Sequence, residues 1–452
     1  VLPATGVRTR ELPLRALAAA GSGEKLEYAL SNTDGLLSVL EDYFGTPYPY
    51  KKLDLVAVPE SFGGAMENVG AIMYDEYLLL LDDNASIDQR RAYTSVHAHE
   101  LAHMWFGNLV TPRWWNDIWL NESFASWMDN KTSHIYWPEG EFDRETLKGA
   151  LSAMDGDSLA AARQIREPVA RNEDIGTAFD SITYSKGGGV LAMLERYVGE
   201  ERFRDGVRLH MARFADGVAT AEDFIESVAE GSERPEIGAA FKSFIEQPGV
   251  PLLSVSLTCE SGQSPRLEVA QTRYTPLGSS IDGRTSSWHV PMCVSMMSDG
   301  ERISSCTLVS EKQQSVPLGV DGCPTVVHPN ADGAGYYRFA LDQPSWRKLI
   351  ENAGNLPAAE ALTMLDSLDA AFRSGDLSAD IFVDGMAALI NHDTWDVASA
   401  VTTVLTGIED IVPATQHESL HRAFRKLAGP RFARLADKTD PRSTLLRRRL
   451  QQ

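Results

Sequence analysis

His99-Glu100-Leu101-Ala102-His103 decides how the rest of this 452-residue chain is read. It lies in a run whose pattern predicts a helix from about Ile87 to Phe106. Ser86 and Gln89 are spaced as a capping box, and Gly107 stands just past the end. On a helix, residues four apart share one face. His99 and His103 then converge on one Zn²⁺, and Glu100 beside them reaches a water at the metal. His97 lies about 200° around the same helix from His99, so it does not share that metal and is read as a packing residue. The other seven histidines are read as scattered, without ligand spacing.

A catalytic zinc takes three protein ligands and keeps one open position. Glu122, in Trp119-Leu120-Asn121-Glu122-Ser123-Phe124-Ala125, is the expected third ligand. Asn121 to Tyr136 reads as a second helix that stops before Pro138. Asp129 falls two turns after Glu122 on the same side and is assigned as acceptor for a ligand histidine.

Two further stretches bear on the reaction. Gly63-Gly64-Ala65-Met66-Glu67-Asn68-Val69-Gly70 is flanked by glycines that let a backbone approach closely. Its Glu67 can hold an α-ammonium group at a fixed distance from the metal, which measures off one residue. Thr183-Tyr184-Ser185-Lys186-Gly187 places a phenol that can donate to the oxyanion of a tetrahedral intermediate.

The length points to about three domains. Residues 1–248 mix strands such as Leu53-Asp54-Leu55-Val56-Ala57-Val58 with strong helices and carry the chemistry. Residues 249–342 become short alternating runs (Leu252 to Leu257, Leu267 to Gln271, Trp288 to Ser295, Gly335 to Leu341) and read as a β-sandwich. Residues 343–452 are successive helices, among them Ala358 to Arg373, Ala379 to Ile390 and Thr394 to Ile408, in a bundle or solenoid. The expected class is α+β and multidomain.

A net charge of −21 disfavours a nucleic-acid partner, since only the tail around Arg447, Arg448 and Arg449 is densely basic. The composition, 43% hydrophobic and 23% charged, is that of a soluble protein, and no segment has the apolar length of a membrane helix. Cytoplasmic and exported locations both remain open. Cys259, Cys293, Cys306 and Cys323 all fall within residues 249–342, as two disulfides of an oxidising compartment or as four buried thiols.

Taken together, Gly64-Ala65-Met66-Glu67-Asn68, His99-Glu100-x-x-His103 with Glu122, and Tyr184-x-Lys186-Gly187 resemble the M1 family of zinc aminopeptidases, the aminopeptidase N-like gluzincins. The likeness extends through Met104 to Thr111 and Trp114 to Asp117, and more loosely through Tyr336-Tyr337-Arg338. It implies a thermolysin-like catalytic domain, a β-sandwich and a C-terminal helical domain, with one Zn²⁺ per chain. It also implies His99, His103 and Glu122 as ligands, Glu100 as general base, Tyr184 as transition-state donor and Gly64 to Asn68 as the substrate-binding segment. Substrates would be peptides with a free amino terminus. An epoxide hydrolase of the same family, which usually has a second glycine where this chain has Ala65, and a silent peptide-binding homologue are the alternatives. The chain departs from the family pattern in Met104 for the usual Gln and Ser123 for the usual Gly. Members usually begin with a β-rich domain of about two hundred residues, a normal domain size; the expectation is a form that lacks it.

Overall fold

A computed structural model describes residues 1–60, 63–279, 286–439 and 441–450. The chain divides into two compact units, Val1–Ala153 with Arg163–Pro248, and Met154–Ala162 with Gly249–Gln452.

The first unit is mixed α/β. Strands β1 (Leu14–Leu17), β2 (Leu53–Val58), β3 (Ala65–Met66) and β4 (Ala71–Asp75) form a sheet in the order β1-β2-β4-β3. β1, β2 and β4 run parallel, and β3 closes the edge antiparallel to β4. Because β2 is covered on both faces, it reads as a near-continuous apolar run. Its one carboxylate, Asp54, is gripped at 2.7 and 2.6 Å by Arg15 of β1 and at 2.6 Å by Lys52. The Arg15 hydrogen bonds outweigh partial burial and hold that carboxyl down to about 2.

Helix Glu27–Phe44 buries Leu36, Leu37, Leu40 and Phe44 at helical spacing and stops at Gly45, whose φ of 68° suits only the left-handed cap. Phe44 stacks on Trp105, and Phe106 on Phe124 at 3.8 Å between centroids. These rings form the core under two neighbouring helices, Ile87–Ala102 and Ile118–Tyr136. The capping box between Ser86 and Gln89 is present.

The first of these helices is shorter than the sequence suggests. It ends at Ala102, and His103 is its C-cap. Buried Met104, Trp105 and Phe106 continue the apolar pattern, but the chain is already turning toward β5 (Val110–Pro112), which pairs with β6 (Gly217–Ala219). Gly107 makes the turn with φ 125°, and a Cβ there would fall 1.9 Å from Asn121 Oδ1.

The second unit holds two sheets followed by a largely helical region. Its strands are β7 (Pro251–Thr258), β8 (Arg266–Arg273), β9 (Val290–Ser298), β10 (Glu301–Val309), β11 (Gln313–Pro317), β12 (Val326–His328) and β13 (Arg338–Leu341). The sheet orders are β11-β8-β7-β13 and β10-β9-β12. The cysteines are paired: Cys293–Cys306 bridges β9 and β10, and Cys259 joins Cys323. This excludes the four-thiol reading. Cys259, Cys306 and Cys323 are exposed, so burial would not have protected them as thiols.

The expected helices appear as Ala358–Ser374, Ala379–Leu389 and Trp395–Glu409, and two more follow as His417–Leu435 and Pro441–Arg449. Buried Arg338 of β13 clamps Asp366 of the first of these at 2.9 and 3.0 Å. Among the described residues, no helix is long and apolar enough to cross a membrane.

Candidate metal centre

His99 sits in the last turn of its helix and His103 at the cap, with their rings 4.6 Å apart and nearly perpendicular. Glu122 comes from the second turn of the neighbouring helix, its Oε2 3.5 Å from His99 Nε2 and 3.7 Å from His103 Nε2. Ligands about 2.0–2.1 Å from a tetrahedral zinc stand about 3.4 Å from one another, close to this spacing. Among the described residues, this is the one group of three such side chains whose ligand atoms all lie within 4.8 Å of one another.

The rings are oriented from behind. His99 Nδ1 is 3.3 Å from Asp129 Oδ2, and His103 Nδ1 faces Asn121 Oδ1 at 2.9 Å and the Phe106 carbonyl at 3.2 Å. All three partners accept, so each Nδ1 carries a proton, and each Nε2 is the atom left to ligate a metal. Ser95 donates to the other oxygen of Asp129 at 3.3 Å.

The electrostatics favour a cation. Burial works against a charge on His99, yet hydrogen bonds to Asp129 and Glu122 push its pKa well above the usual imidazole range. Burial and the neighbouring His99 hold His103 down. Glu100, also buried, is raised to about 8, mainly by desolvation and further by Glu67, Glu122 and Asp129. Its Oε2 is buried without a hydrogen-bond partner. An orphaned carboxylate oxygen beside two imidazoles and a second carboxylate is what a site for a hard-to-borderline cation and its water presents. The residues therefore fit zinc.

Glu67 follows the edge strand β3. Gly64, with φ 131°, ties the strand's start to Asp75 through its N–H at 2.9 Å. Ala65 and Met66 pair with Tyr74 and Met73. Asn68 is exposed, and its backbone closes a turn to Ala71. Asn108 Nδ2 donates to the Glu67 carbonyl at 2.8 Å, and Asn121 Nδ2 donates to Glu67 Oε1 at 3.0 Å. Tyr184 lies in a single widened π-turn, Ile182–Lys186, that leads into helix Gly187–Val198. Its ring stacks 6.3 Å from that of His99, and its hydroxyl lies near the Glu122 carboxylate. Burial, then the charge of Glu122, raises the Tyr184 pKa, keeping the phenol a donor.

The two departures pack rather than ligate. Met104 is fully buried, with its sulfur 3.7 Å from both Tyr48 Oη and Asn108 Nδ2. Ser123 donates to the Thr183 carbonyl, and a Cβ on Gly187 would fall 1.8 Å from Ser123 Oγ. His97 is buried between Tyr74 Oη at 2.7 Å and Thr33 Oγ1 at 3.0 Å, and burial pushes it down to about 3. Sequence reading passed over Asn121 and Asn108, although both lie inside the quoted motifs. It was also wrong about the remaining histidines: His417 and His421 stand four apart on one helix.

A mixed α/β unit with two histidines one turn apart and a glutamate from the next helix defines a mononuclear metallopeptidase-type centre. Residues 28–247 match the peptidase family M1 domain, and residues 326–452 match the ERAP1-like C-terminal domain. These two segments are thus similar to the peptidase and C-terminal domains of the M1 family. It is 35% identical over 319 residues to "Probable aminopeptidase 2" of Sulfurisphaera tokodaii, covering 70% of this chain and 39% of that protein. It is 31% identical over 419 residues to "Aminopeptidase M1-A" of Oryza sativa subsp. japonica, covering 90% and 46%. With "Aminopeptidase 2, mitochondrial" of Saccharomyces cerevisiae it shares 31% over 393 residues, covering 85% and 40%. The chain spans under half the length of these relatives.

Proposed function

We propose that the chain is the catalytic part of a zinc-dependent aminopeptidase that hydrolyses the first peptide bond of substrates with a free amino terminus. The observation that carries this reading is the arrangement of Glu67, joined through Asn121 to the ligand His103 on one side, with the unpartnered Glu100 beside the same cluster. A carboxylate fixed relative to the ligands sets how far the scissile bond lies from the amino group. Within this reading the first unit is thermolysin-like, the sheets of residues 249–342 form a β-sandwich, and residues 343–452 are the helical domain.

A zinc ion held by His99, His103 and Glu122 supplies Lewis acidity toward the peptide carbonyl and acidifies water. Glu100 takes the proton of the attacking water and returns it to the leaving nitrogen. Tyr184 donates to the carbonyl oxygen as charge develops on it. Glu67 binds the α-ammonium, with Gly64 to Asn68 shaping its surroundings, and Asp129 keeps His99 in the ligating tautomer. The two disulfides favour an oxidising compartment.

The test is release of chromophore from a panel of amino-acid anilides, with and without N-acetylation, by zinc-loaded protein and its Glu100→Ala variant. Turnover of free amines alone, lost in the variant, supports the proposal; equal turnover of blocked substrates sinks it.

A further inference from the structure

The widened turn Ile182–Lys186 carries Tyr184 to the ligand cluster, and the side chains that hold this turn lie outside it. We propose, resting on the reading of Tyr184 as the oxyanion donor, that Arg163 and Asp180 are positioning residues that set where the Tyr184 hydroxyl stands relative to the metal centre.

Widened turns are rare, and the first N–H groups of a helix have no partner within it. Here Asp180 Oδ1 accepts from the N–H of Ile182 at 2.9 Å and from that of Thr183 at 3.2 Å. The Asp180 carbonyl accepts from the Tyr184 N–H at 3.1 Å. Arg163 fixes the carboxylate with two parallel hydrogen bonds, Nε to Oδ2 at 3.0 Å and Nη2 to Oδ1 at 2.5 Å. Arg163 Nη2 also donates to Thr183 Oγ1 at 2.7 Å, and Nη1 donates to the carbonyls of Gln164 and Ile165 at 2.9 and 3.3 Å. All three guanidinium nitrogens are engaged, in a fork that lysine cannot reproduce. Thr183 is fully buried; its hydroxyl donates to the Ala178 carbonyl at 2.6 Å, and its own carbonyl accepts from Ser123. The residue before Tyr184 is thus tied at its N–H, its hydroxyl and its carbonyl, which leaves the backbone at Tyr184 little freedom to rotate.

Asp180 is 44% exposed and Arg163 16%. An ion pair this open to water adds little to stability by itself, so folding alone is a weak reason for so complete a set of bonds. The placement of the phenol is a stronger one. Tyr184 stacks beside His99 with its hydroxyl near Glu122, and a displacement of about 1 Å costs a catalytic group up to about a hundredfold. Arg163 and Asp180 act through Thr183 and not on the substrate.

The experiment is a double-mutant cycle on the whole, zinc-loaded chain: Arg163→Met and Asp180→Asn, each alone and combined with Tyr184→Phe, assayed on a free-amine anilide. In the parent background kcat should fall about ten- to a hundredfold, with KM altered by less than about twofold. In the Tyr184→Phe background the same substitutions should change kcat by less than about twofold, because the hydroxyl they position is already gone. Zinc content and circular dichroism of each variant should match the parent. An equal fall in both backgrounds assigns the pair a purely structural role, and an unchanged kcat assigns it none; either overturns the proposal. If Arg163→Met does not fold, Asp180→Asn decides by the same cycle. A parent without turnover sinks the peptidase reading and the proposal with it, an outcome distinct from an active parent whose variants fail the cycle.

Discussion

Asn121 Oδ1 lies 2.9 Å from His103 Nδ1 while the nitrogen of the same amide donates to Glu67 Oε1 at 3.0 Å, so one side chain connects the ring of a candidate metal ligand to the proposed amine anchor. Replacing it removes both supports. Asn121→Ala should weaken zinc affinity by about 10–100-fold, the usual cost of losing a ligand's partner. It should also raise KM for free-amine substrates, because Glu67 loses its fixed orientation. Chelator competition and steady-state kinetics read the two effects separately; unchanged values of both would show that Asn121 is only packing.

The Ser123 hydroxyl donates to the Thr183 carbonyl and so supports the backbone next to Tyr184. In Ser123→Ala the buried Thr183 carbonyl loses that donor, which costs about 1–3 kcal/mol. The midpoint of urea unfolding should fall accordingly, and turnover should drop with KM little altered, since Tyr184 is disturbed and the anchor is not. Wild-type stability in the variant would mean that water or a neighbour replaces the hydroxyl.

The ligand triad was legible because the spacing of His99 and His103 needs only the helical repeat, and Glu122 announces itself by chemistry. Asn121 was not, because its role depends on the turn at Gly107 that brings His103 over it. The end of the first helix at Ala102 was hidden for a related reason: Trp105 and Phe106 are buried, so apolar periodicity runs on after the backbone has turned. The widened turn at Ile182–Lys186 adds no polar signal of its own and reads as ordinary helix.

Two substitutions separate proton transfer from oxyanion support. Glu100→Gln keeps size and polarity but cannot accept the water's proton, so turnover should fall by about 10²–10⁴-fold while zinc content holds. Tyr184→Phe keeps the ring beside His99 and deletes only the hydroxyl, and turnover should fall by about a hundredfold or more. Elemental analysis of both proteins excludes metal loss as the cause. Near-normal turnover in either would remove that residue from the mechanism.

Acid sensitivity of the first unit should depend on His210, which is buried among Phe106, Phe214 and Phe224 with Nδ1 unpartnered. Burial pushes its pKa from 6.5 down to about 4. Between those values the unfolded chain binds the proton and the folded chain does not, so stability falls as pH drops from about 6.5 and levels off below about 4. At about 1.4 kcal/mol per unit, the full loss is on the order of 3 kcal/mol. His97, held down to about 3 by burial, works in the same direction, so no single substitution abolishes the trend. His210→Leu should therefore narrow the difference in unfolding free energy between pH 7 and pH 4.5 relative to wild type, measured by urea titration of the metal-free protein. An unchanged difference would mean that His210 is already protonated in the folded chain or is reached by water.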